Sequence, residues 1–256
     1  MMTITIIPTR MVTAMATITE LGPQVASAPS ILDLARALQF GDSTLPTGAF
    51  TFSHGLESAI ERKVVIDAET LKAFVRTTLE QASGSDIIAL QEAYDAALER
   101  DLDSVAMIDR YLFNRKLNEE PRLMTVRTGK KLVEMAVRVV GGDVIKEWLG
   151  RIVATKTPGC YPVSLAVIFV ETGLSLQDCV VVHQYGVAMA ILSAALRLMK
   201  VNHFDTQRIL FELNKEIGND FVCSSKKKLT DIASYAPTID VLAAVHVKAY
   251  VRLFMS

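Results

Sequence analysis

From Ile31 onward, apolar residues recur three and four positions apart almost without interruption, and the punctuating residues fall where helices should start and stop. This spacing predicts an all-α chain. Ile31, Leu34, Ala35 and Leu38 mark one apolar stripe. Asp67 precedes a second, through Leu71, Phe74, Val75, Thr78 and Leu79, and is a candidate N-cap with Glu69 in the first turn. Ser85 stands before Ile87, Ile88, Leu90, Ala93, Ala97 and Leu98, and Val105, Ile108, Leu112 and Phe113 mark another helix. Pro121 suits the first turn of a helix carrying Leu123, Val126, Leu132, Met135 and Val139, which Gly141-Gly142 ends; Asp143 can cap the next. Pro158-Gly159 is the strongest internal break. Apolar helices flank it closely, so it reads as a turn inside one domain.

The run from Cys179 to Leu196 holds no Asp, Glu, Lys or Arg and reaches the length of a transmembrane candidate. His183, Gln184, Tyr185 and Ser193 interrupt it, alanines lower its hydropathy, and no basic loop asymmetry orients it. It reads instead as a central helix buried on all sides, started by a capping box of Ser175 and Asp178. The expected architecture is a single compact bundle of about ten helices over residues 31–256. Residues 1–30 have a different texture, with one Arg, one Glu and no helical period. They lack the early basic charge and continuous apolar run of a signal peptide, and suit either an organellar transit segment or a misplaced start. Either way they read as a disordered or dispensable leader.

Composition narrows the chemistry. Half of the 256 residues are hydrophobic and 21% are charged, too apolar for a disordered chain, and a net charge of −1 gives no global field for binding nucleic acid. Cys160, Cys179 and Cys223 are odd in number and widely spaced, which favours a reducing, cytoplasmic compartment over a disulfide framework. The Gly129-Lys130 pair has Met124 where a phosphate loop needs its first glycine, so no nucleotide hydrolysis is expected. Around Ser53, the run Thr51-Phe52-Ser53-His54-Gly55 lacks the first glycine and the strand of a nucleophile elbow, leaving Ser53 as a helix-start or packing residue. His54, His183, His203 and His246 are scattered. Cys179 and His183 share a helix face, but two ligands do not make a metal site, and the plain reading is a buried thiol beside a core histidine. As a nucleophile and base pair, they are the alternative, enzymatic reading of this chain. Lys226-Lys227-Lys228 reads as a solvated loop, with an acidic partner patch as its rival.

One stretch is too unusual for a connector: Leu45-Pro46-Thr47-Gly48-Ala49-Phe50-Thr51-Phe52-Ser53-His54-Gly55-Leu56-Glu57. It resembles the LP-x-G-[AS]-[FY]-[ST]-[YH]-S-x-GLE segment of the UreF family of urease accessory proteins. Tyr161-Pro162-Val163, Ala194-Ala195-Leu196-Arg197-Leu198 with Gln207-Arg208-Ile209-Leu210, and the end Tyr250-Val251-Arg252-Leu253-Phe254-Met255-Ser256 are similar to further segments of that family in the same order. Cys160 replaces the His of many members, Phe50 a Tyr of some, and Val251 the usual Ser.

The resemblance implies a non-enzymatic, all-α, dimer-forming scaffold without metal or cofactor of its own. It would bind UreD (also called UreH), recruit the GTPase UreG to apo-urease, and support GTP-dependent nickel insertion by positioning UreG and modulating its GTPase. Arg197 and Lys200 close the apolar run as partners of the helix dipole or, since Arg197 matches a basic position of the family, face UreG. The last residues read as a closing core helix or, with Leu253 and Phe254 apolar beside the chain end and Tyr250 and Arg252 as anchors, as a UreD contact. Phe50 in the family-like motif is a further candidate contact. Neither nucleic acid nor membrane is expected as a partner.

Overall fold

The computed structural model describes residues 30–233 and 236–246. In chain order its helices are α1 (Ile31–Gly41), α2 (Leu56–Glu61), α3 (Ala68–Ser83), α4 (Asp86–Leu98), α5 (Leu102–Arg115), α6 (Glu119–Val139), α7 (Asp143–Val153), α8 (Tyr161–Thr172), α9 (Leu176–Leu198), α10 (His203–Leu213), α11 (Ile217–Ser224) and α12 (Pro237–His246). No strand occurs among the described residues, and the fold is compact and all-α.

Local chemistry sets most boundaries. Ser30, Asp67, Ser175 and Asn202 each accept the amide of the third helical residue, which returns a side-chain bond to the cap amide, so two orphan donors are satisfied together. Ser30, at the edge of the expected leader, is the N-cap of α1. Two other helix starts differ, the second from its expected cap. Ser85 turns its hydroxyl back to Gln81 O at 3.0 Å, and the residue before α7 is Gly142 at φ 85°, with Asp143 one place inside. Gly142 has the left-handed freedom that the sharp reversal after α6 requires.

Two helices organise the interior. The apolar residues of α8 from Val163 to Phe169 are fully enclosed, against α4, α6, α7 and α9. α9 joins the two halves of the core: Cys179, Val180 and Val182 pack with α4 to α8, while Ala188, Ile191, Leu192, Ala194 and Ala195 pack with α2, α3, α10 and α12. The expectation of a central helix buried on all sides fits α8 better than α9, which leaves Val181 half exposed. α9 alone among the described helices is long and apolar enough to span a bilayer, and it is an interior helix here.

The first apolar stripe is also corrected. α1 docks through Phe40 and through Gly41, which lies against Val182, while Ile31 and Leu38 are 91% and 66% exposed. A single helix cannot place Ile31, Leu34 and Leu38 outward and still bury them, and the docking side is set by Phe40 with Arg36, whose guanidinium donates to Thr172 O at 2.9 Å.

The start of α8 is held from two sides. Asp109 of α5 is fully buried; its carboxylate accepts from Thr157 Oγ1 at 2.5 Å, Gly159 N at 2.6 Å and Cys160 N at 2.8 Å. Burial raises its pKa, against those same hydrogen bonds, which favour the charged form. On the other side Gly129 of α6 lies so close that a Cβ there would stand 2.1 Å from Gly159 O, and Thr125 Oγ1 accepts from Tyr161 N at 3.1 Å. The glycine that fails as part of a phosphate loop is thus a point of backbone contact. Asp109→Ala is expected to cost about 3–5 kcal/mol of stability, because it strands three buried donors. Gly129→Ala should cost about 1–3 kcal/mol by overpacking. Urea denaturation checks both, and a loss under about 1 kcal/mol for Asp109→Ala would show that the turn holds itself.

Candidate functional site

The recognisable segment from Leu45 to Glu57 folds as a short 3-10 turn, Ala49–Thr51, leading into α2. Gly48 and Gly55 both adopt φ 81°, which a side chain there would strain, and Gly48 O accepts from Thr51 N at 3.1 Å and Thr51 Oγ1 at 2.8 Å. Phe52, Ser53 and Leu56 are buried, consistent with Ser53 as a packing residue. His54, itself at φ 53°, faces inward from this turn to a cavity of about 250 Å³.

That cavity lies among α3, the ends of α4, α5, α6 and α8, the middle of α9, and α12. Its walls are largely apolar, formed by such residues as Ala82, Leu112, Met124, Val187 and Ile239, and its polar groups include His54, Asp86, Lys116, Glu120 and His183, with Arg115 and Asp240 also in the lining. Lys116 Nζ donates to Asp86 Oδ1, and His183 Nε2 stands 3.9 Å from Asp86 Oδ2. The Tyr161 ring lies against His183 with centroids 5.9 Å apart. His183 Nδ1 is buried with no hydrogen-bond partner among the described residues.

Burial lowers the pKa of both imidazoles to about 4, helped by the Lys116 ammonium and opposed by Asp86. Burial alone would raise the Asp86 carboxyl, but Lys116 and the two histidines outweigh it and hold the group below its ordinary value. The result at neutral pH is an ion pair flanked by two neutral rings. Such a cluster can accept or donate hydrogen bonds to a polar group in the cavity. A base with a pKa of about 4 is poorly matched to proton abstraction at neutral pH.

The sequence singled out other residues. Cys179 is buried one helical turn from His183, and burial, with Asp178 adding, raises its thiol well above the ordinary value, the reverse of an activated nucleophile. The enzymatic reading of this pair is left without a thiolate or a base. Among the described residues, no group of three or more His, Cys, Asp or Glu side chains could hold a metal ion. Arg197 is exposed in the last turn of α9, where its Nε donates to Ser193 O at 3.4 Å, and Lys200 is exposed just beyond. Phe50 sits in the 3-10 turn, but its side chain lies outside the described residues, as do Tyr250, Arg252, Leu253 and Phe254. The structure does bring together His54 and His183, which looked scattered. Asp86 and Lys116 went unmarked in the sequence, since nothing local points to a pair formed between the start of α4 and the residue after α5.

The cluster dictates a pH dependence. His183 titrates near 6.5 unfolded and at about 4 folded, so the unfolded chain binds the extra proton between those values. Its contribution to stability is complete above pH 6.5 and is lost as pH falls toward 4; His54 acts in the same direction, and Asp86 contributes only at lower pH. Stability is expected to fall by about 2 kcal/mol per histidine between pH 7 and pH 5. Urea titrations at the two pH values measure this, and His183→Gln should remove its share of the acid loss.

The family model UreF matches residues 65–214. The chain is 53% identical over 222 residues to the urease accessory protein UreF of Yersinia enterocolitica (serotype O:8 / biotype 1B), covering 87% of this chain and 97% of that protein. It is 52% identical, with the same coverage, to the proteins of that name from Yersinia pseudotuberculosis (serotype IB) and Yersinia pestis (strain Pestoides F). A match through the core helices, joined to near full-length identity of this order, places the chain in the UreF family of urease accessory proteins.

Proposed function

We propose that this chain is a non-catalytic scaffold which, with UreD (UreH) and the GTPase UreG, supports GTP-dependent nickel insertion into apo-urease. The observation that carries the reading is the 53% identity over 97% of the length of a urease accessory protein. Nickel is cargo in this scheme. The GTP chemistry belongs to UreG, in keeping with a sequence whose Gly129-Lys130 pair lacks the first glycine of a phosphate loop. The scaffold acts in the cytoplasm as a homodimer of one-domain subunits, presenting two UreG copies to urease and coupling their nucleotide state to nickel release. Exposure of Arg197 and Lys200 supports a UreG contact there. The family-like end of the chain supports UreD docking through Tyr250, Arg252, Leu253 and Phe254, and the motif containing Phe50 is a further contact.

Reconstitution with purified components tests the scheme. Apo-urease, UreD, UreG, nickel and GTP are expected to yield active urease only when this chain is added, while the chain alone turns over no GTP. Equal activation without it, or GTP turnover by it, contradicts the proposal. Within the same assay, Arg252→Ala is expected to weaken UreD binding by about 2 kcal/mol, the cost of an interface anchor, while the isolated chain still folds. Wild-type affinity in a titration calorimeter would remove Arg252 from the docking element.

A further inference from the structure

The outward face of α10 keeps two aromatic rings in water. Phe204 and Phe211 are 87% and 69% exposed, although Ile209, Leu210 and Leu213 of the same helix are buried in the core. Seven residues separate the rings, two turns along one face, or about 10 Å. Cations frame them. Arg208 lies one turn after Phe204, Lys200 just ahead of the helix, and Lys215 Nζ sits 5.2 Å from the Phe211 ring centroid.

The carboxylates of this region are largely committed elsewhere. Glu212 pairs with Lys72 at 2.5 Å, Glu216 with Arg76 at 3.1 Å, and Asp220 with the same guanidinium at 2.9 and 3.1 Å, all on α3. Asp205 accepts from Asn202 N in the capping box and, at 3.4 Å, from Arg208. The acids thus tie α10 and α11 to the body of the fold while apolar and basic groups point away from it.

We propose that this face docks an acidic amphipathic helix of a partner protein, with apolar side chains on Phe204 and Phe211 and carboxylates opposite Lys200, Arg208 and Lys215. The two-turn ring spacing matches the apolar repeat of a facing helix. A second copy in a two-fold contact would set the same cations against each other. Phe204, Phe211, Arg208 and Lys215 carry the inference without Lys200, which the proposed function assigns to UreG, so it holds whether or not UreG binds at Lys200.

Two synthetic helical peptides with the same leucine stripe, one with glutamate and one with glutamine on its polar positions, test the inference against the full-length chain by fluorescence anisotropy. The wild type is expected to bind the glutamate peptide about tenfold more tightly than the glutamine peptide at low salt, with the difference lost at about 0.5 M salt. F204S/F211S should weaken both peptides by about tenfold, and R208Q/K215Q only the glutamate peptide. A photoreactive residue at 204 should crosslink to the glutamate peptide, which keeps the result readable if either double variant folds poorly. Equal affinity for the two peptides, unchanged binding by F204S/F211S, or crosslinks absent at 204 overturn the proposal. So do two other outcomes: sedimentation showing that F204S/F211S turns a dimer into a monomer, or Phe-dependent flotation with phosphatidylserine vesicles in place of peptide binding.

Discussion

The carboxylate of Asp109 is the constraint on which the interior depends. A helix begins with amides that have no partner of their own, and α8 begins where no water reaches. α5 supplies an acceptor for the turn that leads into the helix, binding Gly159 N and Cys160 N at once, while Thr125 of α6 takes the first helical amide, Tyr161 N. With the turn fixed on that side, Gly129 lets α6 close on the other to backbone contact. α8 can then be apolar on every face, because α4, α6, α7 and α9 all find it in one position.

The cavity inherits its shape from this arrangement. Tyr161, the first residue of α8, has its amide bound to Thr125 of α6 and its ring against His183 of α9. The ion pair of Asp86 and Lys116 joins the start of α4 to the chain just past α5 at the same place. A buried pair of this kind is weak evidence for stability by itself, since desolvation offsets much of its attraction. Burial, more than the pair, keeps the two imidazoles neutral, since Lys116 disfavours their protonation while Asp86 favours it. The interior is therefore suited to holding helices in register, and its thiol and rings are poorly matched to covalent chemistry. This agrees with a family whose members are named as accessory proteins to an enzyme.

Much of this was legible in the chain. Helical periodicity, the caps at Asp67 and Ser175 and the stop at Gly141-Gly142 are local signals, and they were met where the spacing put them. Asp109 was not legible, because an acid between Ile108 and Arg110 in a helix looks like any solvated position; only the return of the chain 50 residues later makes it a cap. The α1 stripe failed for a related reason. Periodicity finds an apolar face, whereas the packing partner decides which face is covered, and Phe40 with Arg36 outweighed Ile31 and Leu38. His54 and His183 were visible as residues and invisible as neighbours, since 129 positions separate them and no motif spans the gap. Family membership was the most readable feature of all, because the Gly48 to Gly55 turn requires two left-handed glycines around buried Phe52 and Ser53.

Hydrogen exchange at the start of α8 tests the central claim most directly. If Asp109 and Gly129 fix that turn as the keystone of the core, the amides of Gly159 and Cys160 should exchange only through global unfolding, with the same free energy as the amides in the middle of α8. Exchange of those two amides at the rate of exposed loop residues such as Thr155, while the middle of α8 stays protected, would contradict it.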